Sequence, residues 1–464
     1  MTVDLSPGYL MDARTDRRGS KERAKGAHEV QGAGGTRITR RQLLAGVGAA
    51  AVGGLVVGGV GGYALAPQGS SGGGGARGGT IKVGSASPVS GPYSGDGQEM
   101  VRGQTLAIEE INAAGGLMGR ELELVTADVE DLAPEKMVNA ARRLINEGVA
   151  AVFSGYTSTS SAEFDVYAEA GVPMFHLNTF QPNADYVKEH GYTNIYHCDP
   201  TEIWYGKGFV PFVQRLISSR SWEPSSESVA IITSNDPYSI SIARQFRDGI
   251  RAAGWEIKLY EQVTAPLAEW GPVLAKIRQD PPGLIFHADY IPGDLASFTQ
   301  QFMADPTPSL LYEQYGPSVP EYLDLAGGDA NGVIWSTVIG TLQDEMGKAF
   351  LQRYEERFDA KPGLSQAGGE YDMVNLWARA AAMAGDPFDF ERVNRNVQSI
   401  VYRGVSGTFR FVPGELTVPP YPDAVEDPSL GMPQLTFQIQ DQEHVLIDPE
   451  PYTVGEFQLP EHLR

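Results

Sequence analysis

From Thr80 nearly to its end, this chain alternates short apolar runs with longer runs of helical period. That alternation restricts it to an α/β fold with parallel sheets, because parallel neighbours need a crossover and a helix supplies it. Strands are predicted at 81–85, 122–127, 150–154, 174–177 and 195–198, with helices at 98–113, 134–147 and 161–169. In the first helix Val101, Leu106, Ile108 and Ile111 lean to one face, and Gly115-Gly116 ends it. The stretch between 177 and 195 reads as a polar loop. A second block follows, with helices at 204–216, 239–253, 269–278 and 295–303 and strands at 229–233, 257–262, 284–288 and 310–312. The two blocks run to about 120 residues each, and no short repeat points to a solenoid or propeller.

The tail changes character. A strand at 333–338 leads into long helices at 343–358 and 365–384, then β-like pieces at 408–412, 435–440 and 445–447. Residues 419–433 read as an exposed loop. The expected organisation is therefore two Rossmann-like lobes joined by several crossovers. Residues 80–199 with 334–403 form the first lobe, 200–333 with 404–450 the second, and 451–464 a C-terminal tail. Such a hinge opens and closes a cleft in which ligands sit beyond the carboxyl ends of strands.

The front end carries a different message. Residues 1–38 form a polar leader without a fold, and 67–79 form a Gly/Ser linker. Between them, at 39–66, Thr39-Arg40-Arg41-Gln42-Leu43-Leu44 resembles a twin-arginine export signal, followed by an uncharged run at 43–65. Ala64-Leu65-Ala66 has a small-x-small cleavage pattern, but Pro67 follows it, so both a cleaved signal and a retained anchor stay open. A lipoprotein is excluded, because the one cysteine, Cys198, lies far from the signal.

Composition narrows the function classes. Of 36 Lys/Arg and 58 Asp/Glu, ten and five precede Thr80, leaving 26 against 53 in the part after it. So negative a surface opposes nucleic acid and anionic lipid and suits a solvated, exported protein. A single cysteine permits no internal disulfide.

Motifs for catalysis are scarce. The seven histidines include no i,i+4 pair and no Cys/His cluster, and neither a G-x-S-x-G elbow nor a phosphate-binding G-x-x-x-x-G-K-[ST] loop occurs. No cofactor or metal is called for. His197-Cys198-Asp199 reads as three neighbours on one strand that do not converge, with Cys198 a small core residue. The loops at strand ends are more telling. Residues 154–161, Ser-Gly-Tyr-Thr-Ser-Thr-Ser-Ser, cap the next helix or seat a carboxylate or carbonyl oxygen. Leu177-Asn178-Thr179 forms a second polar loop beside it.

Ser87 to Met100, S-P-V-S-G-P-Y-S-G-D-G-Q-E-M, and Ala107 to Arg120, A-I-E-E-I-N-A-A-G-G-L-M-G-R, resemble the opening of the type I periplasmic binding proteins. The resemblance is strongest to the leucine/isoleucine/valine-binding group, with amide- and urea-binding proteins as near relatives. E-A-G-V-P-M at 169–174 adds to it, and it runs to about Gly407. It implies two lobes joined by three crossovers, a non-enzymatic monomer, and solute delivery to the transmembrane subunits of an ABC permease. A membrane-tethered sensor ectodomain is the rival reading.

Carried over residue by residue, the resemblance implies a ligand site at Ser158, with Tyr156 two positions before it, and at Thr179. On the second lobe it implies Tyr238, after Ser234-Asn235-Asp236, and Tyr290. The acidic residue with which amino-acid binders pair the ligand ammonium falls at or beside Glu313, in L-Y-E-Q-Y-G. Trp204-Tyr205 departs from the family's smaller residues and either narrows the pocket or packs on the hinge. If Glu313 faces the ligand, the solute is an α-amino acid. If it turns away, the same hydroxyls serve a neutral amide or urea.

Overall fold

The computed structural model describes residues 79–464. The leader, the linker up to residue 78, and the expected export signal with Arg40 and Arg41 lie outside the described residues. Among the described residues, no helix is long and apolar enough to cross a membrane.

The first half lays down β1 (Ile81–Ser87), α1 (Ser94–Ala113), β2 (Leu122–Asp128), α2 (Pro134–Asn146), β3 (Val152–Ser154), α3 (Ala162–Ala170), β4 (Met174–His176), α4 (Gln181–His190) and β5 (Ile195–His197). These strands form a parallel sheet in the order β2-β1-β3-β4-β5. Strands β3, β4 and β5 are buried throughout, as helices on both faces require.

The chain then crosses into α5 (Ile203–Lys207), α6 (Phe209–Ser218), β6 (Ser228–Ser234), α7 (Pro237–Ala252), β7 (Glu256–Val263), α8 (Gly271–Gln279), β8 (Leu284–Ala288), α9 (Pro292–Met303), β9 (Leu310–Gln314), α10 (Pro320–Ala326) and β10 (Ile334–Thr337). Next come α11 (Glu345–Phe358), α12 (Gln366–Ala384), α13 (Phe390–Ser399), β11 (Tyr402–Arg403), β12 (Thr408–Phe409), β13 (Pro420–Tyr421), β14 (Met432–Pro433), β15 (Leu435–Gln440) and β16 (Glu443–Asp448). The second sheet runs β16-β15-β10-β9-β8-β6-β7, parallel except at β10–β15 and β15–β16. Its core is an aromatic stack: Phe246 lies 3.8 Å from Phe286, which lies 4.6 Å from Tyr312, and Phe209 covers Tyr312 at 4.0 Å.

The two-lobed α/β architecture agrees with the sequence reading, but the boundary between the lobes shifts. Residues 334–337, expected in the first lobe, are β10 and pair with β9, so the crossing comes one strand later. Residues 404–418, expected in the second lobe, extend the first sheet instead. His197 donates its backbone N–H to the carbonyl of Leu416, and Val418 donates back to His197. Phe411 packs on Tyr196 at 4.9 Å. Strand periodicity marks where a strand is and carries no information about its neighbour.

Three crossovers therefore connect the lobes, after β5, after β10, and between Val418 and Leu435. The 419–433 loop is only partly exposed, since β13 and β14 pair within it and are buried. Helices α4, α10 and α13 were not anticipated. Helix α1 packs on α12 closely enough that a Cβ on Gly103 would sit 2.2 Å from the carbonyl oxygen of Ala367.

Candidate ligand-binding site

The carboxyl ends of both sheets face a cavity of about 270 Å3, at the small end of ligand sites. The first lobe supplies Tyr93 after β1, Asp131 and Leu132 after β2, and Thr157 and Thr159 after β3. Leu177, Asn178, Thr179 and Phe180 follow from β4. The second lobe supplies Asp236 and Tyr238 at the start of α7, Tyr290 after β8 and Tyr315 after β9. The crossing segments add Tyr205, Ile339 and Gln366. Among the described residues, no lysine, arginine or histidine lines this cavity.

Direct contacts tie the lobes together. The hydroxyls of Thr179 and Tyr238 meet at 2.7 Å across the cleft. Asp96, in the first turn of α1, accepts from Tyr156 on its own lobe and from Tyr315 of the other at 3.2 Å. Glu202, at the first crossover, accepts from the backbone N–H of Gln181 at 2.6 Å and from Ser241 at 2.7 Å, bridging α4 to α7. Burial pushes the Asp96 carboxyl up to about 6. Burial likewise raises the phenols of Tyr156, Tyr205, Tyr238, Tyr290 and Tyr315, which stay protonated donors.

Local chemistry places the cavity walls. Asp236 caps α7, accepting from the backbone N–H of Ser239 at 2.9 Å, with Pro237 in the first helical position. Tyr315 leaves β9 with φ 58° and ψ −54°, a sparsely populated conformation that turns its ring into the cleft. Gly155 lets Gln366 approach, since a Cβ there would lie 2.4 Å from its Oε1.

Of the residues expected from sequence, Tyr156, Thr179, Tyr238 and Tyr290 converge on the cavity. Three do not. Ser158 is turned into the lobe, where its backbone N–H and hydroxyl donate to the Glu163 carboxylate at 2.7 and 2.6 Å; Thr157 and Thr159 on either side face the cleft instead. Trp204 lies under the ammonium of Lys207 at 4.5 Å, and its neighbour Tyr205 points inward. Glu313 is buried behind the sheet, accepting from Thr299 at 2.8 Å near Tyr322. Ser158 and Trp204 each sit one residue from a side chain that does line the cavity, the latter on helix α5, while Glu313 lies inside β9 and the inward turn comes two residues later at Tyr315. Tyr93, Tyr315 and Gln366 were missed; Tyr93 stands in the S-P-V-S-G-P-Y motif and Tyr315 two residues past Glu313.

His197 and Asp199 do converge, contrary to the sequence reading: Nε2 and Oδ1 lie 2.7 Å apart, because i and i+2 share a face. Both are buried and neither lines the cavity. Cys198 is a buried free thiol, raised well above its usual range by burial.

Two α/β lobes, three crossovers and a ligand-sized cleft at the sheets' carboxyl ends define a type I periplasmic binding protein. Residues 80–416 match the family model described as periplasmic binding protein, and the chain belongs to that family. It is 38% identical to a structure from Silicibacter pomeroyi, provisionally assigned as a branched-chain amino acid ABC transporter. The match covers 82% of this chain and all of that one, with a TM-score of 0.78. It is 29% identical over 224 residues to Leu/Ile/Val-binding protein homolog 7 of Brucella abortus, covering 48% of this chain and 55% of that protein. The chain thus spans about half the length of that relative. Against the leucine-, isoleucine-, valine-, threonine- and alanine-binding protein of Pseudomonas aeruginosa it is 23% identical, covering 72% of this chain and 86% of that one.

Proposed function

We propose that this chain is the extracytoplasmic solute-binding protein of an ABC importer and carries a small amino acid, branched-chain or similar, to the permease. The observation that carries this reading is the cleft itself: both lobes contribute hydroxyls to one small cavity, and the Thr179–Tyr238 bond spans it. The P. aeruginosa relative, named for binding leucine, isoleucine, valine, threonine and alanine, supports the solute class. The hydroxyls of Thr157, Thr159 and Thr179 at the ends of β3 and β4 suit a carboxylate, and Leu132, Leu177 and Ile339 suit an aliphatic side chain. Binding without turnover, as a monomer, and export through Arg40-Arg41 belong to the same proposal. A second reading, a neutral amide or urea, is favoured by one observation: Glu313 is spent on Thr299 and does not line the cleft.

Thermal denaturation of the purified protein with leucine, isoleucine, valine, propionamide and urea tests both. A ligand at 100 times its Kd adds about 2.7 kcal/mol, an easily read shift. Shifts with the amino acids alone support the first reading, and shifts with the amides alone replace it by the second.

A further inference from the structure

The two carboxylates that line the cleft, Asp131 and Asp236, already have partners within the protein, and its walls are rich in aromatic rings. Tyr93 lies 6.0 Å from Tyr156 and 6.5 Å from Tyr290. Tyr290 meets Tyr238 edge-on at 5.8 Å, and Tyr238 lies 6.3 Å from Phe180. These contacts make one continuous arc of five rings that passes from the first lobe to the second and back. All five line the cavity.

The lining carboxylates are already engaged. Asp131 pairs with Lys136 at 3.0 Å on the exposed rim. Asp236 accepts from Ser234 at 2.6 Å and from the Ser239 backbone. Asp96 behind the wall accepts from two phenols. Gln366, 2% exposed, lines the cavity with an Oε1 that has no partner in the protein. A wall lined by five aromatic rings, with Asp131 and Asp236 in the lining and no lining base among the described residues, attracts positive charge and disfavours a net anion.

We propose that this cleft recognises the charged nitrogen of its solute with tyrosine ring faces plus one carbonyl acceptor, Gln366, and not with a carboxylate. Its solutes therefore extend to N-methylated amino acids and related alkylammonium compounds. The proposal rests on the cleft being the solute site. A carboxylate seat uses several N–H donors, and each methyl group removes one. A ring-face seat with one acceptor needs a single N–H, and methyl groups enlarge the contact with the rings.

Isothermal titration of the full chain compares L-leucine with N,N-dimethyl-L-leucine, and choline with 3,3-dimethyl-1-butanol, its uncharged isostere. Expected are a dimethyl-leucine affinity within about tenfold of leucine and a choline affinity at least about tenfold above the isostere. The second pair tests the rings even if no amino acid binds, so failure of the amino-acid reading is seen separately. Tyr290→Phe, which keeps the ring, should preserve the choline preference, and Tyr290→Leu should abolish it, with unliganded melting temperatures confirming that both fold. A dimethyl-leucine loss beyond about tenfold, choline no tighter than its isostere, or a greater loss in Asp236→Asn than in Tyr290→Leu overturns the proposal.

Discussion

The hydroxyls of Thr179 and Tyr238 stand 2.7 Å apart, one at the end of a first-lobe strand and the other at the first turn of a second-lobe helix. Their bond exists only when the lobes are together, so it belongs to the closed form's stability and to affinity. Tyr238→Phe keeps the ring and removes the bond. Solute affinity should fall by about two- to tenfold, as for one hydrogen bond of about 0.5–1.5 kcal/mol. Isothermal titration reads the loss, and small-angle scattering should show a larger radius of gyration without solute. An unchanged affinity would mean that closure does not depend on this contact.

Glu313 separates a binding role from a structural one. Burial raises its carboxyl from 4.5 to about 8, and Thr299 and Tyr322 hold it from within the second lobe. Glu313→Gln is therefore expected to leave solute affinity unchanged. Because the folded state favours the protonated acid, its contribution to stability is complete below about 4.5 and is lost as pH rises through about 8. Glu370, raised by burial to about 8 and held by Gln104, behaves alike. Urea denaturation across that range should show wild-type stability falling with pH, and falling less steeply in Glu313→Gln. Equal slopes would refute the assignment.

Gly103 tests the packing of the first lobe. A side chain there meets the backbone of Ala367, which cannot rotate aside, so α1 and α12 must separate. Gly103→Val should cost about 1–3 kcal/mol or more, within the range for overpacking. The midpoint of chemical denaturation measures it. A change under about half a kcal/mol, typical of surface positions, would show that the helices yield freely.

Export is tested outside the described residues. Replacing Arg40-Arg41 by Lys-Lys should retain the folded protein in the cytoplasm, since a receptor reads the arginine pair. Cell fractionation with immunodetection gives the answer. Undiminished export would assign the protein to the general secretory route, and N-terminal sequencing would show whether cleavage follows Ala66.

The sequence by itself determined the fold class and most of its elements. Runs such as Ile231, Ile285 and Leu311 between helical stretches are intelligible locally, because burial on both faces demands continuous apolar strands. It also placed the loops that line the cleft, since a parallel sheet gathers the carboxyl ends of its strands along one edge. Tertiary structure decided which lobe β10 joins and where 404–418 returns, because pairing partners are far apart in sequence. It decided the facing of single side chains too: Tyr315 in place of Glu313, Tyr205 in place of Trp204, and Thr157 and Thr159 in place of Ser158. A turn such as the one at Tyr315, with its positive φ, rotates a side chain through an angle that no alternation rule carries. Only the assembled lobes bring Tyr93, Tyr156, Tyr238 and Tyr290 into one arc, because its rings come from segments that follow strands of two different sheets.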